Sequence, residues 1–147
     1  MFAIGEVYLG YNRKVKVADA KLIASSKSTA EVFRSVWDTN TLNLRESFKV
    51  LLLNRSNRAI NVYHHSEGGV AGTVSDIRLI IQSAILSNAS GIILGHNHPS
   101  GNKYPSEADR AITDKLKEAA NLFNISLLDH VIITEDDYLS FADEGLL

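Results

Sequence analysis

Two histidines and a carboxylate lie close together in the chain, at a spacing that can bind one metal ion. His96 and His98 are two residues apart, and Asp109 follows eleven residues after His98. Three protein ligands leave one position of a tetrahedral zinc ion open for water, which is typical of catalytic zinc sites. Two histidines and one carboxylate also form the facial triad of non-haem iron enzymes, so the ligand set alone leaves both metals open.

The predicted elements around these residues should bring the three side chains together. Side chains at i and i+2 of a strand point to the same side. If the apolar strand 91–95 continues, His96 and His98 therefore share a face where that strand ends. A helix is predicted from about 106 to 123, and Asp109 falls within its apolar stripe. A carboxylate on a buried helix face must be paired, hydrogen-bonded or coordinating, and the first turn of a helix favours its ionised form.

Other polar residues have simpler interpretations. Ser106 and Asp109 are spaced as a capping box with Asp in place of Glu, a role that does not exclude one at a metal site. His64 and His65 lie on opposite faces of a predicted strand, so we interpret them as structural. Asp129-His130 could be a second polar site, but a buried hydrogen-bonded pair is the favoured interpretation. The glycine-rich run 68–72 lacks phosphate-loop spacing and is interpreted as a turn.

Strands and helices alternate along the chain, which predicts the α/β class with a central mixed β-sheet flanked by helices. A capping box at Ser28 to Glu31 should begin the first helix, and Asp76 should cap a second helix of about 13 residues. Strands are predicted at 46–53, 59–65, 91–94, 125–133 and 138–141, after an N-terminal hairpin at 2–9 and 14–18.

Length and composition indicate one globular domain over residues 1–147. The chain has 147 residues, of which 45% are hydrophobic and 22% charged, and its net charge is -2. This charge argues against binding dominated by phosphate groups. The absence of cysteine excludes disulfides and thiolate metal sites. The N-terminus does not resemble a signal peptide and the apolar runs are too short to span a bilayer, so we expect a cytoplasmic protein with no membrane association.

The residues 46–141 resemble the RadC-like branch of the JAMM/MPN (JAB domain) zinc metalloprotease superfamily. His96, His98, Ser106 and Asp109 fit the superfamily pattern His-x-His-x7-Ser-x-x-Asp without a gap. Three segments resemble the RadC-like version closely, namely 95–102, 105–109 and 127–130. Asn97 is usual in that branch, whereas most eukaryotic members carry Ser or Thr there. The resemblance implies a single MPN-like, cytidine-deaminase-like domain, with residues 1–45 adding the N-terminal hairpin and helix.

The resemblance also implies an activity and roles for five residues. The activity is that of a zinc-dependent peptidase or isopeptidase, with Zn²⁺ bound by His96, His98 and Asp109 and a zinc-bound water as nucleophile. Ser106 would hydrogen-bond the water or the tetrahedral intermediate. A glutamate would accept the water proton and pass it to the leaving amine.

The best candidate for this glutamate is Glu46. Glu46-Ser47-Phe48 matches the Glu-x-Phe strand start of the family. Strand alternation, an independent argument, places Glu46 in line with the apolar side chains of Phe48, Val50 and Leu52. The alternative is an exposed glutamate at a fraying strand end, with Glu67 as the next candidate for the base.

Four functions therefore compete. A zinc metallopeptidase acting on a protein or peptide is the first. An iron enzyme is the second, and metal analysis would separate the two. A DNA-repair or DNA-binding module is the third, but residues 1–45 do not resemble the helix-hairpin-helix segment of many RadC-like proteins, so we expect no nucleic-acid partner. A non-catalytic MPN scaffold ranks low because the ligand set is complete. The sequence leaves the substrate and the oligomeric state open.

Overall fold

A mixed five-stranded sheet forms the centre of the protein. The computed structural model describes residues 4–8, 16–68 and 75–147. The strands are β1 (Ser47–Leu53), β2 (Ala59–Glu67), β3 (Gly91–Asn97), β4 (Ser126–Ile133) and β5 (Tyr138–Ser140). The helices of this part of the chain are α1 (Ser26–Val36), α2 (Ile77–Leu86) and α3 (Glu107–Asn121). The predicted α/β class with helices flanking a mixed sheet is confirmed.

The strand order is β2-β1-β3-β4-β5. Only β3 and β4 pair in parallel among these neighbours, while the other pairs are antiparallel. Parallel neighbours need a crossover connection, and α3 supplies it. The beginning of α3 therefore lies beside the end of β3. Because β1 runs antiparallel to β3, the beginning of β1 reaches the same edge of the sheet, with Phe48 opposite His96.

The helices cover both faces of the sheet. On one face, Phe48, Val50 and Leu52 of β1 pack with Ile80 of α2 and Leu116 of α3. On the other face, α1 packs on the sheet through a second apolar cluster that includes Phe33, Trp37, Leu51, Leu53 and Ile93. Every residue of β1 is buried as a result.

Gly95 permits the close approach of α1 to β3. A Cβ atom at this position would lie 2.5 Å from the Cζ atom of Phe33, which is buried in the second cluster. A side chain larger than hydrogen would therefore displace Phe33 and the helix that carries it. His96 follows directly and points to the opposite face of the sheet.

The predicted helices are all present, but their ends differ from those expected. The first helix begins three residues earlier than predicted, because Ser25 is its N-cap and forms a capping box with Ser28. Glu31, the expected partner of Ser28, instead lies 3.7 Å from Lys21. The second helix has 10 residues rather than about 13. It ends before Asn88, whose φ of 55° places it in the left-handed region.

The expected N-terminal hairpin is wrong within the described residues. Residues 4–8 form no strand, and Val17–Asp19 form a 3₁₀ turn. Local hydrogen bonds explain the turn, since the backbone N–H groups of Asp19 and Ala20 donate to the carbonyl groups of Lys16 and Val17. The remaining parts of the predicted hairpin, residues 2–3, 9 and 14–15, lie outside the described residues.

Candidate metal centre

Four side chains with metal-binding groups meet at the edge where β1 begins and β3 ends. Glu46, His96, His98 and Asp109 each offer one ligand atom, and these atoms lie within 4.8 Å of one another. Glu46 directly precedes β1, His96 lies in β3, His98 follows that strand, and Asp109 lies in the first turn of α3. The structure thus brings together the three expected ligands and the expected base.

The distances between the ligand atoms match a small coordination sphere. Nε2 of His96 lies 2.8 Å from Nε2 of His98 and 3.2 Å from Oδ1 of Asp109. Nε2 of His98 lies 3.6 Å from Oδ2 of Asp109. In a tetrahedral site with metal–nitrogen bonds of about 2.0–2.1 Å, ligand atoms are separated by about 3.3 Å. The three groups are therefore close enough together to bind one ion.

Burial differs between the members of the cluster. The His96 side chain is fully buried, whereas 16% of the His98 side chain and 21% of the Glu46 side chain are exposed. A cavity of about 160 Å³ lies next to the cluster, lined by residues that include Glu46, Phe48 and Asp109. The inner side of the site is therefore closed to bulk solvent, while its outer side opens into the cavity.

The charges of the cluster suit a cation. Burial raises the pKa of Asp109, but its contacts with His96 and His98 outweigh burial and hold this pKa well below the usual range. Burial lowers the pKa of His98, but the nearby Asp109 carboxylate and the hydrogen bond to the Asn102 carbonyl give a net upward shift. Asp109 is therefore ionised at neutral pH, and a metal ion binds the ionised form of a carboxylate.

The hydrogen bond of His98 to the backbone provides a test of whether the site fits a metal ion. Nδ1 of His98 lies 2.6 Å from the carbonyl oxygen of Asn102, which can only accept. Nδ1 must therefore carry a proton, and a neutral His98 has a bare Nε2. This bare nitrogen faces Nε2 of His96 at 2.8 Å. Two nitrogen atoms at this distance require a proton or a metal ion between them, so the donor set fits a bound cation.

The capping box at the start of α3 is present as expected. The hydroxyl oxygen of Ser106 accepts the backbone N–H of Asp109 at 3.1 Å, and the Asp109 carboxylate accepts the backbone N–H of Ser106 at 2.7 Å. Asp109 is 9% exposed, in agreement with its predicted place on the buried face of the helix. The same carboxylate thus caps a helix and faces the two histidines.

Asn97 has a structural role that the sequence did not predict. Its buried side chain points away from the metal cluster, because it alternates with His96 along β3. The amide nitrogen donates to the carbonyl groups of Leu42 and Arg45, at 2.6 and 2.9 Å. The amide oxygen accepts the backbone N–H of Ser47 at 2.7 Å. Asn97 therefore holds the backbone on both sides of Glu46.

Asp129 and His130 are both buried and hydrogen-bonded, as expected, but their side chains do not pair with each other. Neighbouring side chains of a strand point to opposite faces, and their only hydrogen bond among the described residues joins the His130 backbone N–H to Asp129. Asp129 instead accepts the Ser140 hydroxyl and the Ala142 backbone N–H. His130 faces the metal cluster, with Nε2 at 2.8 Å from Nδ1 of His96. Strand alternation could have predicted this difference from the sequence, because adjacent side chains of a strand lie on opposite faces.

The remaining titratable candidates lie outside the cluster. His64 contacts Lys49, with 2.8 Å between Nδ1 and Nζ. His65 accepts the backbone N–H of Asp76 at 2.8 Å, so both histidines have structural contacts as expected and lie outside the cluster formed by the described residues. Glu67 pairs with Arg45 at 3.1 Å instead of reaching the cluster. The expected glycine turn falls mostly outside the described residues, which resume at residue 75.

The fold and the cluster are those of a JAB-type α/β domain with a potential metal site. Comparison with protein families matches residues 23–146 to the family described as "RadC-like JAB domain". The match covers most of the chain, and the chain belongs to this family. The resemblance found in the sequence is thereby confirmed.

Similar bacterial proteins carry a name that states no activity. The chain is 40% identical over 144 residues to a UPF0758 protein of Flavobacterium johnsoniae, covering 97% of this chain and 62% of that protein. It is 50% identical over 104 residues to a UPF0758 protein of Porphyromonas gingivalis, covering 70% of this chain and 46% of that protein. The chain thus spans about half to three fifths of the length of these relatives. Among the described residues, every helix is too short or too polar to cross a membrane.

Proposed function

We propose that this domain is a zinc-dependent metallopeptidase or isopeptidase that hydrolyses an amide bond. The observation that carries the proposal is the cluster of Glu46, His96, His98 and Asp109, whose ligand atoms lie within 4.8 Å of one another in a RadC-like JAB domain. Two imidazoles and one carboxylate are a common ligand set of catalytic zinc, and they leave one coordination position for water.

In this proposal the three inner groups hold the metal, and the protein prepares each of them. His98 is oriented by the Asn102 carbonyl, and Asp109 by the backbone N–H of Ser106. A zinc ion held by these groups would supply an activated water, whose pKa would be lowered toward about 7. The negative charge of Asp109 is stabilised by its place at the beginning of α3, where the helix dipole favours anions.

Glu46 is the group proposed to move the proton. Its Oε1 lies 4.0 Å from Nε2 of His96, farther than the 3.2 Å that separates the same nitrogen from Asp109. This greater distance supports a role beside the ligands rather than among them. A carboxylate in that position accepts a proton from the attacking water and delivers it to the leaving amine nitrogen. The partial exposure of its side chain lets it reach a bound substrate.

Ser106 is proposed to stabilise the carbonyl oxygen under attack. Its hydroxyl oxygen accepts from the Asp109 backbone N–H, which leaves the hydroxyl proton available for donation. A single hydrogen-bond donor to a developing oxyanion contributes about 10²–10³-fold to the rate in well-studied hydrolases. The proposed partner is a protein or peptide, and the proposal includes no nucleic-acid or membrane partner.

A peptide-library cleavage assay tests the proposed function. The library should contain both ordinary peptide bonds and isopeptide bonds, and the protein should be assayed with a chelator and after reloading with zinc or iron. We expect cleavage that is lost with the chelator and restored by zinc. Restoration by iron alone would favour the second ligand interpretation, a non-haem iron enzyme. Cleavage that survives the chelator, or no cleavage by the zinc-loaded protein, would contradict the proposal.

A further inference from the structure

We propose that His130 is a positioning residue that fixes the ring orientation and the tautomer of His96, so that Nε2 of His96 is unprotonated and faces the metal. This inference rests on the metal site of the proposed function. His130 is fully buried, lies on a different strand from the proposed ligands, and is absent from the cluster of ligand atoms. Its contacts form a chain of hydrogen bonds whose direction can be determined.

The chain of hydrogen bonds begins at Thr113, which lies one helical turn after Asp109 in α3. The Thr113 hydroxyl lies 2.6 Å from the backbone carbonyl oxygen of Asp109. A carbonyl oxygen can only accept, so the single hydroxyl proton is donated there. The same hydroxyl oxygen lies 2.7 Å from Nδ1 of His130. Because the hydroxyl proton is already used, Nδ1 of His130 must be the donor.

The next step passes from His130 to His96. The His130 ring is fully buried, and its hydrogen-bond partners among the described residues are a hydroxyl group and a second imidazole rather than a carboxylate, so the site favours the neutral ring. A neutral imidazole with a proton on Nδ1 has an acceptor at Nε2. Nε2 of His130 lies 2.8 Å from Nδ1 of His96, which must therefore carry the proton. His96 is left with a bare Nε2, at 3.2 Å from Asp109.

Packing holds the His130 ring in the position that this chain requires. The ring stacks on Phe141 with a centroid distance of 4.6 Å, and Phe48 contacts it edge-on at 5.8 Å. Phe48 also stacks on His96 at 5.8 Å. His98 reaches the same tautomer by a different route, through the Asn102 carbonyl. Both imidazoles thus present Nε2, one fixed by a backbone oxygen and one by a second histidine.

Two pairs of variants test the inference. His130→Phe keeps an aromatic ring against Phe141 but removes the acceptor for His96. Thr113→Val removes the hydroxyl that sets the donor-to-acceptor direction of the hydrogen bonds, while Thr113→Ser retains this hydroxyl. His64→Phe is the matched control, because it removes a histidine on the other face of the sheet. Zinc affinity is measured by competition with a chromogenic chelator, and chemical denaturation verifies that each variant folds.

We expect His130→Phe to weaken zinc binding by about 10–100-fold, as for other groups that hydrogen-bond a ligating histidine. Thr113→Val should weaken it less, and Thr113→Ser and His64→Phe should leave it unchanged. Two-bond ¹H–¹⁵N spectra of the metal-free protein, at a pH where the imidazoles are neutral, should show His96 protonated at Nδ1 in the wild type and at Nε2, or at both in exchange, in His130→Phe.

The outcomes separate this inference from the proposed function. Wild-type zinc affinity and an unchanged His96 tautomer in His130→Phe would overturn the positioning role while leaving the metal site intact. A wild-type protein that fails to bind zinc would overturn the proposed function, and the tautomer spectra of the metal-free protein would still decide the role of His130. If His130→Phe does not fold, the Thr113→Val and Thr113→Ser pair decides by the same two measurements.

Discussion

Ser106 and Asp109 cap each other's backbone at the start of α3, and the same carboxylate faces the two histidines of the candidate site. The N-cap hydroxyl accepts from the Asp109 backbone, and the carboxylate accepts from the Ser106 backbone. A local interaction that begins a helix therefore also fixes where a proposed metal ligand stands. Helix capping and the proposed metal binding therefore depend on the same carboxylate.

Ser106→Ala tests this double role. Loss of the N-cap hydroxyl should lower the free energy of unfolding by roughly 0.5–2 kcal/mol, because the Asp109 N–H loses its acceptor. Peptidase activity should fall by more than the lost stability explains. Ser106→Asp provides the comparison, since it keeps a cap but adds a negative charge near the metal. Both are measured by chemical denaturation and by the peptide assay. Wild-type stability together with wild-type activity in Ser106→Asp would contradict the double role.

The metal content of the purified protein provides a second prediction. We expect about one zinc per chain, because the three proposed protein ligands form one zinc site and leave its fourth coordination position open. His98→Ala should reduce bound zinc sharply, whereas His64→Ala should retain it, since His64 contacts Lys49 outside the cluster. Elemental analysis after gel filtration measures both. Undiminished zinc in His98→Ala would refute the ligand assignment.

Much of the site could be predicted from sequence because its geometry is local. Two histidines at i and i+2 of a strand must share a face, and helical spacing alone places Asp109 on the buried side of α3. Most of the predicted strand ends lie within two residues of those in the structure. The predictions of the N-terminal hairpin and of the first residue of α1 were wrong. Both depend on a choice between neighbouring hydrogen-bond partners that differ little in strength.

Contacts between distant parts of the chain could not be predicted in this way. His130 joins the site because β4 lies parallel to β3, and Thr113 meets it from α3. Asn97 reaches back more than fifty residues to Leu42 and Arg45. Such contacts arise from the strand order, and a periodic pattern within one segment carries no information about them.

The buried carboxylate of Asp129 should give a measurable pH dependence of stability. Burial raises its pKa, although the hydrogen bond from Ser140 and two backbone N–H groups oppose this shift. As the pH rises from about 4 through this raised pKa, the folded protein binds more protons than the unfolded chain. The contribution of Asp129 to the free energy of unfolding must therefore fall over that range and stay low above it.

Asp129→Asn removes this titration, and its amide oxygen can still accept the N–H groups of His130 and Ala142. We expect the stability of the variant relative to wild type to increase from pH 4 upward and then level off. Urea unfolding at a series of pH values, in the presence of a chelator, measures the difference. Asp114→Asn, at an exposed position of α3 whose charge does not contribute to the pKa of Asp129, is the control and should show no such trend. A difference that stays constant with pH would show that Asp129 is not the cause.

Glu46 gives the most direct test of the proposed chemistry. Its motif lies fifty residues before His96 in the chain, and Asn97 holds the backbone on both sides of it. Glu46→Gln keeps the size of the side chain but cannot accept the proton of the attacking water.

We expect Glu46→Gln to fold, to retain about one zinc, and to lose activity by about 10²–10⁴-fold, the usual contribution of a general base. Elemental analysis and the peptide assay give both numbers for one sample. Glu67→Gln is the matched control, because Glu67 pairs with Arg45 and lies outside the cluster, and it should keep its activity. Loss of zinc in Glu46→Gln would instead identify Glu46 as a ligand. Full activity with zinc retained would place the base elsewhere, and a simultaneous loss in Glu67→Gln would identify that residue as the base.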